Sequence, residues 1–162
     1  MGTIVVGVDG SAGSDAALRW ALDEAGLRGS SVRVVHVYQP PRMPLTEAGV
    51  GAAGGMGVPV FAENADELGR AAEAEAMNVI EEALRRTGGD LRHELEIERA
   101  AVAGPPAQTL IESAPGAELL VVGSRGRGGF LGLLLGSVSQ QCAQHPPCPV
   151  VILPPVERET GG

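Results

Sequence analysis

Ile4-Val5-Val6-Gly7-Val8-Asp9-Gly10-Ser11 opens the chain with a β-branched run and then a turn. A run with no polar alternation has no wet face, so it reads as a strand buried on both sides, closed by Asp9-Gly10-Ser11. From Ser14 the period changes: Leu18, Ala21, Leu22 and Ala25 recur at i, i+3, i+4 and i+7, one apolar face of a helix. Ser14 or Ser11 can cap its start, and Gly26 or Gly29 can end it. Val32 to Tyr38 is a second buried strand, which Pro40-Pro41 stops.

The same alternation continues down the chain. Residues 41–62 hold five glycines along with Pro44 and Pro59 and few large apolar groups, and read as a long Gly/Pro-rich flexible loop. Helical periodicity resumes at Asn64 or Asp66, with Ala72, Ala76, Val79, Ile80, Ala83 and Leu84 on one face until Gly88-Gly89. Leu91 to Ile97 alternates Leu, His, Leu, Ile against Arg and Glu, which predicts an edge strand with one wet side. Ala107, Leu110, Ile111 and Ala114 give a short helix opened by Pro105-Pro106. Leu119 to Gly123 is a fourth strand. A Gly-rich loop runs from Ser124 to about Leu135, a helix starts near Gly136-Ser137 and stops before Pro146, and Pro149 to Leu153 is the fifth strand. The order β-α-β-α-β-α-β-α-β predicts one α/β domain over residues 1–155, an open parallel five-stranded sheet with helices on both faces, and a polar tail at 156–162. Ligands of such sheets bind at the carboxyl ends of strands, where strand order reverses.

Composition narrows the function. Of 162 residues 44% are hydrophobic but only 2% aromatic, so the core is aliphatic and no aromatic platform for single-stranded nucleic acid exists. The net charge of −8 argues against duplex nucleic acid and anionic membranes as partners. All twelve basic residues are Arg, and the missing Lys excludes a phosphate-binding loop lysine and a Schiff base. Cys142 and Cys148, with His36, His93 and His145, have no metal-ligand spacing. With no basic apolar leader, no myristoylation pattern after Gly2 and no long apolar run, the chain reads as soluble and cytoplasmic.

Three motifs carry candidate chemistry. Gly49-Val50-Gly51-Ala52-Ala53-Gly54 matches G-x-G-x-x-G, but it follows prolines rather than a strand and leads to no helix, so it reads as loop. Gly123-Ser124-Arg125-Gly126 leaves the fourth strand, and nine residues later Gly136-Ser137 opens a helix. The glycines let backbone amides approach an anion, and the helix start supplies free N–H groups, a dipole and a hydroxyl. An ordinary Gly-rich strand-to-helix loop would have the same spacing. Asp9 ends the first strand, where a carboxylate can accept hydrogen bonds from a ribose or base, or cap a turn. Arg125 could screen phosphates or be solvated, Arg127 reads as solvated, and His36 and Cys142 read as packed core. Ser11, Ser124, Ser137 and Ser139 have no motif-linked His, and G-x-S-x-G is absent.

Taken in order, Val6-Gly7-Val8-Asp9-Gly10-Ser11, Val34-Val35-His36-Val37, Val121 to Gly129, Leu135-Gly136-Ser137-Val138-Ser139 and Cys148-Pro149-Val150-Val151 resemble the universal stress protein family over nearly the whole chain. Gly123, Gly126, Gly136 and Ser137 fit the G-x2-G-x9-G-[ST] pattern of its nucleotide-binding subgroup. The resemblance implies a Rossmann-like sheet, akin to the adenine nucleotide alpha hydrolases, ordered 3-2-1-4-5, with Asp9 and Gly123 on one crevice. It implies ATP as ligand, with Mg²⁺ or Mn²⁺ accompanying the triphosphate: Asp9 on the adenosine, Val37 near the adenine, Val122 on the base side, and Gly123, Gly126, Gly136, Ser137, Val138 and Ser139 around ribose and phosphates, with Arg125 beside them. It further implies a regulatory module in the stress response and a homodimer through the fifth strand. A slow ATP hydrolase or phosphoryl donor, and a nucleotide-free interaction module, are the alternatives; with Asp9 as the one candidate site acid, turnover would at most be slow.

Overall fold

A computed structural model describes residues 2–41, 60–126 and 134–156, with the backbone alone over 60–64. The Gly49–Gly54 motif, Arg127 and the end of the tail lie outside the described residues.

Five parallel strands, β1 (Thr3–Gly7), β2 (Ser31–Tyr38), β3 (Ile97–Ala103), β4 (Leu119–Gly123) and β5 (Val150–Leu153), form one sheet in the order β3-β2-β1-β4-β5. Between them run α1 (Ala12–Arg28), α2 (Val60–Thr87), α3 (Pro106–Glu112) and α4 (Ser137–Gln144). Ser11 caps α1 by accepting from the Ser14 amide, and Gly29 ends it at φ 68°, a left-handed conformation that costs glycine little. Strand alternation divides the core between the two faces. Ile4, Val6, Val32, Val34 and Val121 pack under Leu18 and Leu22 of α1 and Ile80 and Leu84 of α2, while Val5, Val35, Leu120 and Val122 pack under Leu110 of α3 and Cys142 of α4. Removing each such aliphatic side chain from water contributes about 1.5–3 kcal/mol. Asp15, only 7% exposed, is paired by Arg86 through Nε at 2.7 Å and Nη2 at 3.1 Å, which ties the last turn of α2 to the first turn of α1.

Two boundaries differ from expectation by more than two residues. The third strand is not Leu91–Ile97 but Ile97–Ala103, at the predicted edge position. β2 begins at Ser31, and Val32 donates to the Glu96 carbonyl and lies opposite Ile97, so residues 91–95 extend past the end of β2 with no strand to pair with. Their backbone closes on itself instead: Leu91 N–H bonds Gly88 O, Arg92 N–H bonds Gly89 O and Leu95 N–H bonds Arg92 O. Leu91 is 74% exposed. The second difference is that α2 starts at Val60, inside the predicted 41–62 loop, because Pro59 is the last helix breaker before Gly69.

Candidate functional site

In the order β3-β2-β1-β4-β5 the direction in which strands are added reverses between the parallel neighbours β1 and β4, and at their carboxyl ends lies a cavity of about 530 Å³. That size falls among the ~300–1,000 Å³ of small-molecule sites. Asp9, Val37, Val122, Gly123, Arg125, Gly126, Gly136, Ser137, Val138 and Ser139 all line it. They come from the exits of β1, β2 and β4 and from the first turn of α4, four pieces that only the sheet order brings together.

One wall is apolar. Val35, Val37 and Val122 stand on the sheet, and Pro106 and Leu110 of α3 cover them. Gly7 makes room for that cover, since a Cβ there would come within 2.8 Å of Leu110 Cδ2. The opposite end is polar. No side chain caps α4 at Gly136, and by helix geometry the amides of Ser137, Val138 and Ser139 have no acceptor within the helix, so the positive end of α4 faces the cavity. Arg125 adds a guanidinium whose Nε is buried without a hydrogen-bond partner.

The loop ends are held by one carbonyl. Ser124 O accepts from Gly136 N at 2.6 Å and from Ser139 Oγ at 2.8 Å, which joins the exit of β4 to the start of α4. Ser139 is buried and its hydroxyl proton is directed at Ser124 O and Gly136 O, so this hydroxyl braces the loop, while Ser137 is exposed. Asp9 sits on the other side. Its Oδ1 accepts from Ser11 N at 2.9 Å and Ser11 Oγ at 2.5 Å, and its amide donates to Ser14 Oγ at 3.1 Å. The helix cap is therefore Ser11, and Asp9 forms the turn before it while lining the cavity.

Two of the glycines also have a packing role. A Cβ on Gly123 would lie 2.9 Å from Gly13 O and 3.0 Å from Gly13 C. A Cβ on Gly126 would lie 2.6 Å from Asp9 Oδ2. The space left by each missing side chain is filled by protein: Gly123 lets the N-terminus of α1 approach β4, and Gly126 lets the phosphate-loop candidate approach the carboxylate.

Gly7, Val8, Ser14, Val35, Pro106, Leu110, Leu135 and Gln140 also line the cavity, and the sequence assigns none of them to a site. Val35 was findable, two residues before Val37 and on the same strand face. Pro106 and Leu110 carry no local signal, because their place depends on α3 crossing over β1. His36 is half-buried rather than packed core, with Nδ1 2.7 Å from Val8 O, whereas Cys142 is fully buried in the core as expected. Burial raises the Cys142 and Cys148 thiols above their ordinary pKa, and both are free.

Comparison with known proteins supplies an independent line. The model of the Universal stress protein family matches residues 1–154. A universal stress protein of Mycolicibacterium smegmatis is 38% identical over 153 residues, 94% of this chain and 45% of that protein. The chain spans about half the length of the curated relatives it matches. A universal stress protein solved in complex with cAMP superposes with a TM-score of 0.60 at 27% identity, covering 94% of this chain and 95% of that one. UspA from Lactobacillus plantarum shares the fold, with a TM-score of 0.69 at 20% identity over 94% and 97% of the two chains.

Proposed function

This chain belongs to the universal stress protein family, and on that premise we propose that its cavity binds an adenine nucleotide, with ATP the ligand that makes fullest use of it. The observation that carries the proposal is the polarity of the cavity. An aliphatic slot of Val35, Val37, Val122 and Leu110 suits a purine, and the uncapped start of α4 with Arg125 suits its phosphates. Asp9, which lines the same cavity, would accept from the ribose or base. Gly123, Gly126 and Gly136 shape the backbone around the ribose and phosphates, with Ser137 and Val138 amides as donors and Ser139 as the brace. The solved relative with bound cAMP supports the ligand class.

Among the described residues no three His, Cys, Asp or Glu side chains cluster as a metal site. Mg²⁺ or Mn²⁺ would arrive on the triphosphate, held by its oxygens and water. Among the same residues no helix is long and apolar enough to cross a membrane. The proposal extends to a cytoplasmic, regulatory role in the stress response and to a homodimer through β5, whose four aliphatic residues are all half-buried on an open sheet edge.

Calorimetry with AMP, ATP and inorganic triphosphate tests the assignment. Asp9→Ala should weaken both nucleotides more than triphosphate. Equal losses for all three ligands, or no nucleotide binding by the unaltered protein, would refute it.

A further inference from the structure

The peptide unit joining Val8 to Asp9 lies where β1 has left the ladder, and both of its polar groups are satisfied by side chains. Val8 O is 2.7 Å from His36 Nδ1, and Asp9 N–H donates to Ser14 Oγ at 3.1 Å. A carbonyl can only accept, so His36 carries its proton on Nδ1 in this contact. Ser14 Oγ in turn donates to Ser11 O at 3.1 Å, and Ser11 holds Asp9 Oδ1 through both its amide and its hydroxyl. One peptide plane is thus fixed from two elements, by the imidazole of β2 on its oxygen and by the α1 hydroxyl on its nitrogen. The residue that this plane carries is Asp9.

We infer that His36 is a positioning residue for the nucleotide site, setting the orientation of the Asp9 carboxylate through the Val8–Asp9 peptide. The inference rests on the nucleotide reading of the cavity, and it adds to that reading a residue that does not itself line the cavity. Neighbouring residues of β2 act on opposite faces: Val37 forms the cavity wall, and His36, on the face shared with Val34, holds the peptide beyond β1. Asp9 has little freedom to absorb a change. Its Oδ2 already sits where a Cβ on Gly126 would be 2.6 Å away, so a rotation of the peptide moves the carboxylate against the β4 exit loop.

Three variants separate this role from mere packing. His36→Leu keeps bulk but removes the donor. His36→Asn keeps an N–H at the same number of bonds from Cα as Nδ1, and His36→Gln places it one bond farther. In calorimetry, His36→Leu should lose about tenfold in AMP affinity, the worth of one hydrogen bond passed on to the site. His36→Asn should bind close to the unaltered protein, His36→Gln should be weakened, and in an Asp9→Ala background His36→Leu should add no further loss. Unchanged AMP affinity in His36→Leu, or equal losses in the Leu and Asn variants, would overturn the inference. If the unaltered protein binds no AMP, the nucleotide reading fails first, and the ligand-free protein still decides the present one. The Asp9 ¹³Cγ resonance should shift in His36→Leu and stay in place in His36→Asn, and an unmoved resonance in the Leu variant would refute it. Should His36→Leu not fold, the Asn and Gln variants give the same contrast, and no difference between them refutes it.

Discussion

Gly123→Ala adds one methyl group at the point where α1 meets β4, and its cost can be worked from the contacts. The new Cβ would lie 2.9 Å from Gly13 O, 3.0 Å from Gly13 C and 3.4 Å from Ser14 N. All three are backbone atoms, so no rotamer change relieves the clash. Restoring ordinary contact at 3.4 Å requires the first turn of α1 to retreat about 0.5 Å. That helix is anchored by fully buried Ala17, Leu18, Ala21 and Leu22, so a shift at its N-terminus strains a packed core, typically at about 1–3 kcal/mol. The usual benefit of Ala over Gly in a strand, about 0.5–1 kcal/mol, offsets part of this. A net loss of about 1–2 kcal/mol should lower the urea midpoint by about 0.5–1 M at a slope near 2 kcal/mol/M, with the slope unchanged. Gly69→Ala is the matched control: it lies within α2 with nothing within 4 Å of its Cβ position, and should gain stability. A Gly123→Ala protein as stable as the unaltered one would refute the close-approach account of the fingerprint's first glycine.

Ser11→Ala removes the cap of α1 and one of the bonds holding Asp9, and should cost about 1 kcal/mol in denaturation while also weakening AMP in calorimetry. At the other end of the sheet, Ser30 Oγ first and then Arg28 hold the Glu118 carboxyl below its ordinary pKa of 4.5. A depressed folded pKa contributes stability that is present above the unfolded value and lost as pH falls through the folded one, so Glu118→Gln should flatten that part of the acid limb in pH-dependent unfolding. Cys148 should react with a thiol reagent in the native protein and fully buried Cys142 only on unfolding; equal native rates would contradict the packing of Cys142 in the core with Leu110 and Val122.

The strands at the centre of the sheet were legible because their burial leaves an unbroken aliphatic run, as in Leu119–Gly123, whose predicted and observed limits coincide. The caps of α1 were legible to within a pair at each end: Ser11 rather than Ser14 starts the helix and Gly29 rather than Gly26 ends it. β3 was not. Its sequence, Ile97-Glu98-Arg99-Ala100-Ala101-Val102-Ala103, is a half-wet edge with three alanines, while the clean alternation just before it lies beyond the reach of β2. The polar half of the candidate site was visible as Asp9 and the Gly123–Ser139 spacing. The contact of Gly126 with Asp9, the roof of Leu110 over Gly7 and the His36 bond to Val8 were invisible, because each depends on which strands and helices become neighbours.

An AMP titration followed by amide resonances tests the nucleotide assignment most directly. Saturable shifts at Val37, Gly126, Ser137, Val138 and Ser139, the residues that flank both ends of the cavity, are the predicted result. No shifts at millimolar AMP, or shifts confined to the β5 edge around Cys148 and Val150, would contradict it.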